Sequence, residues 1–363
     1  MTVRNIPLYY PFLPKELGKE VKKLIEGGWI NTGPKAKEFE DLFRKKFNYR
    51  YALAVNSCTS ALRLAYAIAG VGHGDEVITT PHTMVATNTT ILEQGAKPVF
   101  ADIQYETGNI DPDDIEHRIT SKTKAIAIVH IGGYPCDIDE ISNIGVDYGI
   151  PVIEDCAHAI GARYKGHYIG YLSDAACFSF QIIKQITTGG GGMYVTFRKK
   201  WAEEAKIRRW FGMEKSTRYT KPITKLGFKY DINDITGIMG VIQMDYIDQI
   251  SRKRWKIARF YRDELANVKD LSLMEWKNDR ISANWLFPIH VNRRDKFFEK
   301  MRRWGMGTNI IFRRNDFHTI FGGLRRDLPN MDRFEKTIAI IPIHYNLSEN
   351  DLHYIVDKIK GGW

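Results

Sequence analysis

The chain has 363 residues, of which 44% are hydrophobic and 26% charged, with a formal charge of +10. This composition supports a buried core and excludes a disordered chain, and apolar runs no longer than Ala125–Val129 exclude a membrane-spanning helix. The basic residues of 198–209, 252–256 and 293–303 are mixed with acids and apolar residues, as on solvated helix faces. No nucleic-acid motif accompanies them, so no nucleic-acid or membrane partner is expected, whereas a small phosphorylated substrate fits the charge.

The length allows one large domain and a smaller one. The N-terminus, MTVRNIPLYYPFLPKEL, lacks the uninterrupted apolar core of a signal peptide. Cys58, Cys136, Cys156 and Cys177 show no CxxC spacing, so neither a metal site nor a disulfide framework is indicated. A reduced, cytoplasmic protein is the expectation.

In chain order, residues 15–28 (KELGKEVKKLIEGG) carry an amphipathic helical pattern that stops at two glycines. Gly28 and Gly33 have the spacing of a P-loop, but Pro34 stands where the lysine of that motif must follow. Pro34 instead opens a helix over 35–47. A strand is expected over 51–56. Ser57, Cys58, Thr59 and Ser60 then begin a helix whose apolar side carries Leu62, Leu64, Ala65 and Ile68. Hydroxyls there can cap the helix, and the same free amides and positive dipole end can bind a phosphate.

From Gly70 onward the pattern alternates. Strands are expected over 76–80, 98–102, 125–130 and 151–155, with helices over 85–94 and 137–149. Near-continuous apolar strands between helices argue for a largely parallel sheet covered on both faces, with ligands at the carboxyl ends of strands. Asp155 ends one such strand, and His158 follows. An acid there either caps the next segment or serves as a counter-charge to a cationic group.

Residues 175–180 and 193–197 read as two further strands. Between them lie Lys184 and the run Gly189, Gly190, Gly191 and Gly192. A lysine in apolar surroundings has its amine pKa lowered and can form a Schiff base with a carbonyl. The alternative is a surface hairpin with a solvated lysine. A polar helix follows over 199–215, then a long helix over 234–254. Beyond about residue 250 shorter strands such as 286–291 mark a smaller α+β domain. The division expected is 1–248 for the large domain and 249–363 for the small one.

An anion-binding helix start, an acid at a strand end and a lysine in an apolar hairpin together supply what pyridoxal phosphate needs. The ordered motifs GGWINTGPKAKEFE, NSCTSALRLA, GDEVITTPHTMVAT, GAKPVFADI, PVIEDCAHAIGARYKG, FSFQIIKQITTGGGG, GFKYDINDITGIMG and the tail FGGLRRDLPNMDRFEKTIAIIPIHYNLSENDL run nearly end to end. In them the chain resembles the DegT/StrS family of sugar aminotransferases, pyridoxal-phosphate enzymes of fold type I.

The resemblance implies the following roles. Lys184 would hold the cofactor as a Schiff base and shuttle a proton. Asp155 would pair with the pyridinium nitrogen, and His158, where many members have glutamine, would contact the phenolic oxygen. Cys58, Thr59 and Ser179 would bind the phosphate. Met84 stands where an aromatic residue usually stacks on the ring, with His82 a second candidate for that role. Lys229 would reach the phosphate of a neighbouring subunit, giving a homodimer with composite sites. Gln181, Gly190 and Asp231 depart from the family pattern on the substrate side. The lysine at 184, where sugar dehydratases of the family have histidine, favours transamination.

The implied reaction carries the amine of an amino acid, L-glutamate, through pyridoxamine phosphate to C3 or C4 of a nucleotide-linked keto-deoxyhexose. The product would feed polysaccharide, glycan or antibiotic sugar synthesis. Arg313, Arg314 and Lys229 are candidates to receive the diphosphate. A cyclitol aminotransferase and a regulatory protein that retains the cofactor pocket are the alternatives.

Overall fold

The computed structural model describes residues 4–363. Helices α1 (Leu17–Glu26) and α2 (Pro34–Lys46) lead into β1 (Tyr51–Val55) and α3 (Cys58–Ile68). The alternating stretch contains β2 (Glu76–Thr79), α4 (Val85–Glu93), β3 (Lys97–Phe100), α5 (Pro112–His117), β4 (Thr123–Val129), α6 (Ile138–Asp147) and β5 (Val152–Asp155). A short pair, β6 (Arg163–Tyr164) and β7 (His167–Tyr168), precedes β8 (Ala175–Ser179) and β9 (Gly192–Thr196). Then come α7 (Lys199–Arg208), α8 (Asp234–Leu265), β10 (Leu271–Leu273), β11 (Arg280–Ile281), β12 (Phe287–Val291), α9 (Arg294–Arg303), α10 (Pro329–Thr337), β13 (Ile338–Ile341) and α11 (Glu349–Lys360).

Seven strands form the main sheet in the order β1-β9-β8-β5-β4-β2-β3. β3, β2, β4, β5 and β8 pair in parallel, while β9 runs antiparallel to both its neighbours. The expected α/β class and largely parallel sheet are therefore present. Both faces are covered, which explains the unbroken apolar strands. In β8, Ala176 and Phe178 pack with Phe39 and Phe43 of α2, whereas Ala175 and Cys177 pack with Leu62 and Ala65 of α3. α2 reaches α8 closely because two glycines leave room. A Cβ at Gly240 would lie 2.6 Å from the Phe39 ring, and one at Gly237 would lie 2.5 Å from the backbone of Lys35 and Ala36.

Two elements differ from expectation. The helix beginning at Lys199 ends at Arg208, because Phe211 (φ 56°) and Gly212 (φ 76°) turn the chain in the left-handed region. α8 continues eleven residues beyond Arg254, to a total of 32, because its apolar stripe finds a second core. Met244, Ile247 and Ile250 pack in the main core, whereas Ile257, Ala258, Tyr261 and Leu265 pack against β12 and α11. A three-stranded antiparallel sheet, β10-β12-β13, forms that second layer. We propose a division within α8 close to the expected 248/249, the change of core itself falling between Ile250 and Ile257; Ile6, bridged to Met306, packs with the second core. None of the described helices is long and apolar enough to cross a membrane.

One buried cation ties α8 to the second layer. Arg254, 4% exposed, donates through Nη1 to the carbonyls of Asn284 (3.1 Å), Trp285 (3.2 Å) and Ile343 (2.8 Å). Burial pushes its guanidinium down to about 10, which leaves it charged at neutral pH. Arg254→Met should strand these carbonyls in the core at a cost of about 3 kcal/mol. Urea unfolding of the two proteins should show this as a lower midpoint.

Candidate active site

The carboxyl ends of β1, β5 and β8 meet the start of β9 at one edge of the sheet, where Gly192 faces both Val55 and Ser179 across the ladders. A cavity of about 330 Å³ opens there. Its lining includes Cys58, Thr59, Met84, Asp155, His158, Ser179 and Lys184.

α3 aims its N-terminus at this space. Ser57, in extended conformation, caps the helix by accepting from the Ser60 amide at 3.1 Å, and the Ser60 hydroxyl donates to Asn56 Oδ1 at 2.6 Å. Two of the hydroxyls expected at this turn are thus used locally. The amides of Cys58 and Thr59 have no partner within the helix, and that end carries the positive dipole. β9 approaches them so closely that a Cβ at Gly192 would lie 2.5 Å from the Ser57 carbonyl carbon and 2.6 Å from the Cys58 nitrogen. Gly190, by contrast, has open space for a side chain.

Asp155 ends β5 and is 5% exposed. Its Oδ2 accepts from the Thr87 hydroxyl at 2.7 Å and its Oδ1 from the Ala157 amide at 3.0 Å. Both bonds hold the carboxylate in one orientation. The Cys58 thiol lies 3.8 Å from Oδ1, and burial pushes that thiol well above its ordinary range.

Lys184 lies in the loop between β8 and β9, and its side chain reaches into the cavity. Burial pushes its amine down to about 7, against the upward pull of Asp155. Near neutral pH a large share of the amine is therefore unprotonated, as a nucleophile or base requires. His158 is 2% exposed and sandwiched between Trp285 (4.1 Å between ring centres) and Phe312 (5.4 Å). Burial and the nearby Lys184 hold its imidazole well below the usual range, so the ring is neutral, and its Nδ1 has no partner.

Other expected residues lie elsewhere. Lys229 is outside the cavity of its own chain, on a half-exposed segment where it and Lys215 pair with Asp231. Arg314 cannot receive a ligand. It is buried and doubly bonded to Asp316 at 2.7 Å, with Asp332 as a further partner. Arg313 pairs with Glu335 at 3.1 Å and covers the Phe317 ring. His82 is buried away from the cavity, with Nδ1 on the Gly108 carbonyl and its ring edge-on to Phe334. It has no open face to offer a ring. Met84 lines the cavity and is 52% exposed. Thr87 closes the motif GDEVITTPHTMVAT but has no implied role there, and Trp285 and Phe312 lie outside the quoted motifs. The only signal for Thr87 was its place on the helix that follows Met84.

On the opposite side of β5, His130, Glu154 and Cys156 bring their ligating atoms within 4.8 Å of one another. His130 Nδ1 accepts from the Cys136 amide, so Nε2 carries the proton and donates to Glu154 at 2.7 Å. His130 and Glu154 Oε2 are satisfied within the protein, the latter also accepting from the Gly170 amide at 2.9 Å, whereas Glu154 Oε1 has no partner.

Residues 12–360 match the model of the DegT/DnrJ/EryC1/StrS aminotransferase family. The chain belongs to this family. It is 37% identical to an uncharacterised protein of Methanocaldococcus jannaschii, over 98% of this chain and 97% of that one. It is 33% identical to the spore coat polysaccharide biosynthesis protein SpsC of Bacillus subtilis, over 98% and 96%. The crystal structure of the sugar aminotransferase CalS13 from Micromonospora echinospora superposes with a TM-score of 0.95 at 31% identity, covering 99% of this chain and all of that one. Spr1654 of Streptococcus pneumoniae, solved in PLP and PMP forms, matches at 27% identity with TM-scores of 0.92 and 0.93, over 99% of this chain and 98% and 97% of those.

The family's cofactor is pyridoxal phosphate, and the cavity suits it. Free helix amides offer a phosphate seat, a fixed carboxylate offers a partner for a ring nitrogen, and the unpartnered His158 Nδ1 awaits a hydrogen bond. Gly192→Ala should push the Ser57–Cys58 peptide out of place and weaken cofactor binding about tenfold or more, a loss of at least ~1.4 kcal/mol. Absorbance titration of the cofactor-free protein measures this directly.

Proposed function

We propose that this protein is a cytoplasmic aminotransferase that moves the amine of L-glutamate to C3 or C4 of a nucleotide-linked keto-deoxyhexose. The observation that carries the reading is the Lys184 amine, held near neutrality inside a cavity that also contains Asp155 and a helix N-terminus. The sugar class is supported by the likeness to CalS13 and to SpsC, and the polyanionic substrate by the net charge of +10.

When bound, the cofactor delocalises the negative charge that develops at the reacting carbon. The residues do the rest. The amides of Cys58 and Thr59, with the Thr59 and Ser179 hydroxyls, anchor the phosphate. Asp155, fixed by Thr87, keeps the ring nitrogen protonated. His158 offers Nδ1 to the phenolic oxygen, and Met84 packs on the ring. Lys184 Nζ holds the cofactor at rest. The neutral amine of Lys184 would be the base that takes the proton from the carbon bearing the donor amine, and its ammonium would be the acid that gives the proton back. In the second half-reaction Nζ moves the proton the opposite way. The order of these proton transfers follows from the need for a neutral amine first and an ammonium second.

Lys229 is proposed to reach the phosphate of a neighbouring subunit in a homodimer. Support comes from its exposure outside its own cavity and from the apolar residues flanking it, Leu226 and Phe228, which are 72% and 48% exposed. Gly190 and Gln181 leave the substrate side of the cavity open.

The deciding experiment is an absorbance spectrum of the protein with pyridoxal phosphate, before and after L-glutamate. The lysine-bound cofactor should give a visible band that collapses with glutamate, and Lys184→Ala should lack the band and lose about a thousandfold or more in turnover. A band that never forms would overturn the reading. The glutamate half-reaction should slow as pH falls below about 7, because protonation removes the base; stopped-flow traces from pH 5 to 9 test this. The KM for a nucleotide-linked keto sugar should rise with salt, whereas a neutral keto-inositol would show no such dependence.

A further inference from the structure

We propose that Trp285 is a positioning residue for Lys184, seating the free amine over its ring whenever the lysine is not bound to cofactor. The proposal rests on the reading of Lys184 given above, and its observations are geometric. Lys184 Nζ lies 3.6 Å from the Trp285 ring centre. The indole N–H donates to the carbonyl of Ile183, the residue before the lysine, at 2.9 Å. The same ring stacks on His158, and Tyr9 stacks on it in turn at 5.8 Å. One side chain therefore touches the lysine, the backbone that carries it, and the neighbouring imidazole.

Trp285 is itself held from the second layer. Arg254 of α8 binds the carbonyls of Asn284 and Trp285, and Trp285 is 2% exposed. These bonds fix the backbone that carries Trp285, and the indole N–H bond to Ile183 holds the ring itself.

The chemical need is specific. A transaminating lysine must leave the cofactor and stay within reach. It must also hold a proton for part of the cycle in a site whose burial disfavours the charge. An aromatic face attracts an ammonium without offering a carboxylate, which would trap it as an ion pair. The other titratable groups facing the amine are Asp155 on β5, Cys58 on α3 and His158 after β5. Asp155 is committed to Thr87 and Ala157, and in the loaded enzyme to the ring nitrogen. The Trp285 ring, which also stacks on His158 and Tyr9, offers the amine a seat that carries no charge of its own.

The test reads the amine itself. The full chain, stripped of cofactor, is treated with an amine-reactive reagent across pH 5 to 10, and modification of Lys184 is followed by mass spectrometry. The wild-type midpoint is expected near 7. Trp285→Leu removes the π face, so the ammonium loses its support and the midpoint should fall by roughly 0.5 to 1.5 pH units. Trp285→Phe keeps a π face and should restore most of that difference. If the leucine variant titrates as the wild type does, or if the phenylalanine variant shifts as far as leucine, the proposal is overturned. A wild-type protein that binds no cofactor would defeat the reading of Lys184 instead, and the absorbance spectrum distinguishes the two failures.

Discussion

The register of β8 against β9 is the constraint on which the site depends. Ser179 faces Gly192, and Gly192 lies against the Ser57–Cys58 peptide with no room for a methyl group. That contact sets β1, β8 and β9 side by side, so the start of α3, the hydroxyl of Ser179 and the loop carrying Lys184 share one edge. A one-residue slip would turn every side chain of β9 to the other face. It would also move the glycine away from the one peptide it must approach. The parallel strand β5 then delivers Asp155 to the same edge, as the carboxyl ends of parallel strands do in such sheets.

The second layer is more than a cover. It is antiparallel and built on half of α8, yet it sends Trp285 and Phe312 into the cavity of the first. Arg254 makes that reach rigid by satisfying carbonyls at 284, 285 and 343 from within the helix that both layers share. An unpaired buried guanidinium is costly, and three carbonyl partners offset the cost. Burial in the stack of His158, Trp285 and Phe312 keeps the imidazole neutral and leaves its Nδ1 without a hydrogen-bond partner.

Charge is distributed to the same end. Many of the basic residues sit in exposed pairs such as Lys22 with Glu26 and Arg303 with Glu299, which contribute ~0–1 kcal/mol each. Arg314 is locked in a buried pair with Asp316. Within the cavity the balance is different: one carboxylate fixed by neutral donors, one neutral imidazole, and one amine whose proton is loosely held. Such an arrangement suits reversible proton transfer better than permanent ion pairing.

The sequence by itself determined the alternating α/β class and pointed to three candidate anchors, at Ser57–Thr59, Asp155 and Lys184, which the fold brings to one cavity. These are local signals: periodicity, a helix start, an acid closing an apolar strand, and glycines at a hairpin. The ordered motifs made the family legible as well. Tertiary structure alone decided what surrounds the anchors. Thr87 orients Asp155 from 68 residues away, and Trp285 meets Lys184 from 101 residues away, because 285 minus 184 is 101. Nothing local marks either for its partner: Thr87 closes the motif GDEVITTPHTMVAT without a sign that it reaches Asp155, and Trp285 lies outside the quoted motifs. His82 and Arg314 looked available by residue type, yet packing against Phe334 and pairing with Asp316 bury them. Sequence fixes which groups a chain possesses. Which of them face the same cavity depends on strand register and on long-range burial, and those are properties of the folded whole.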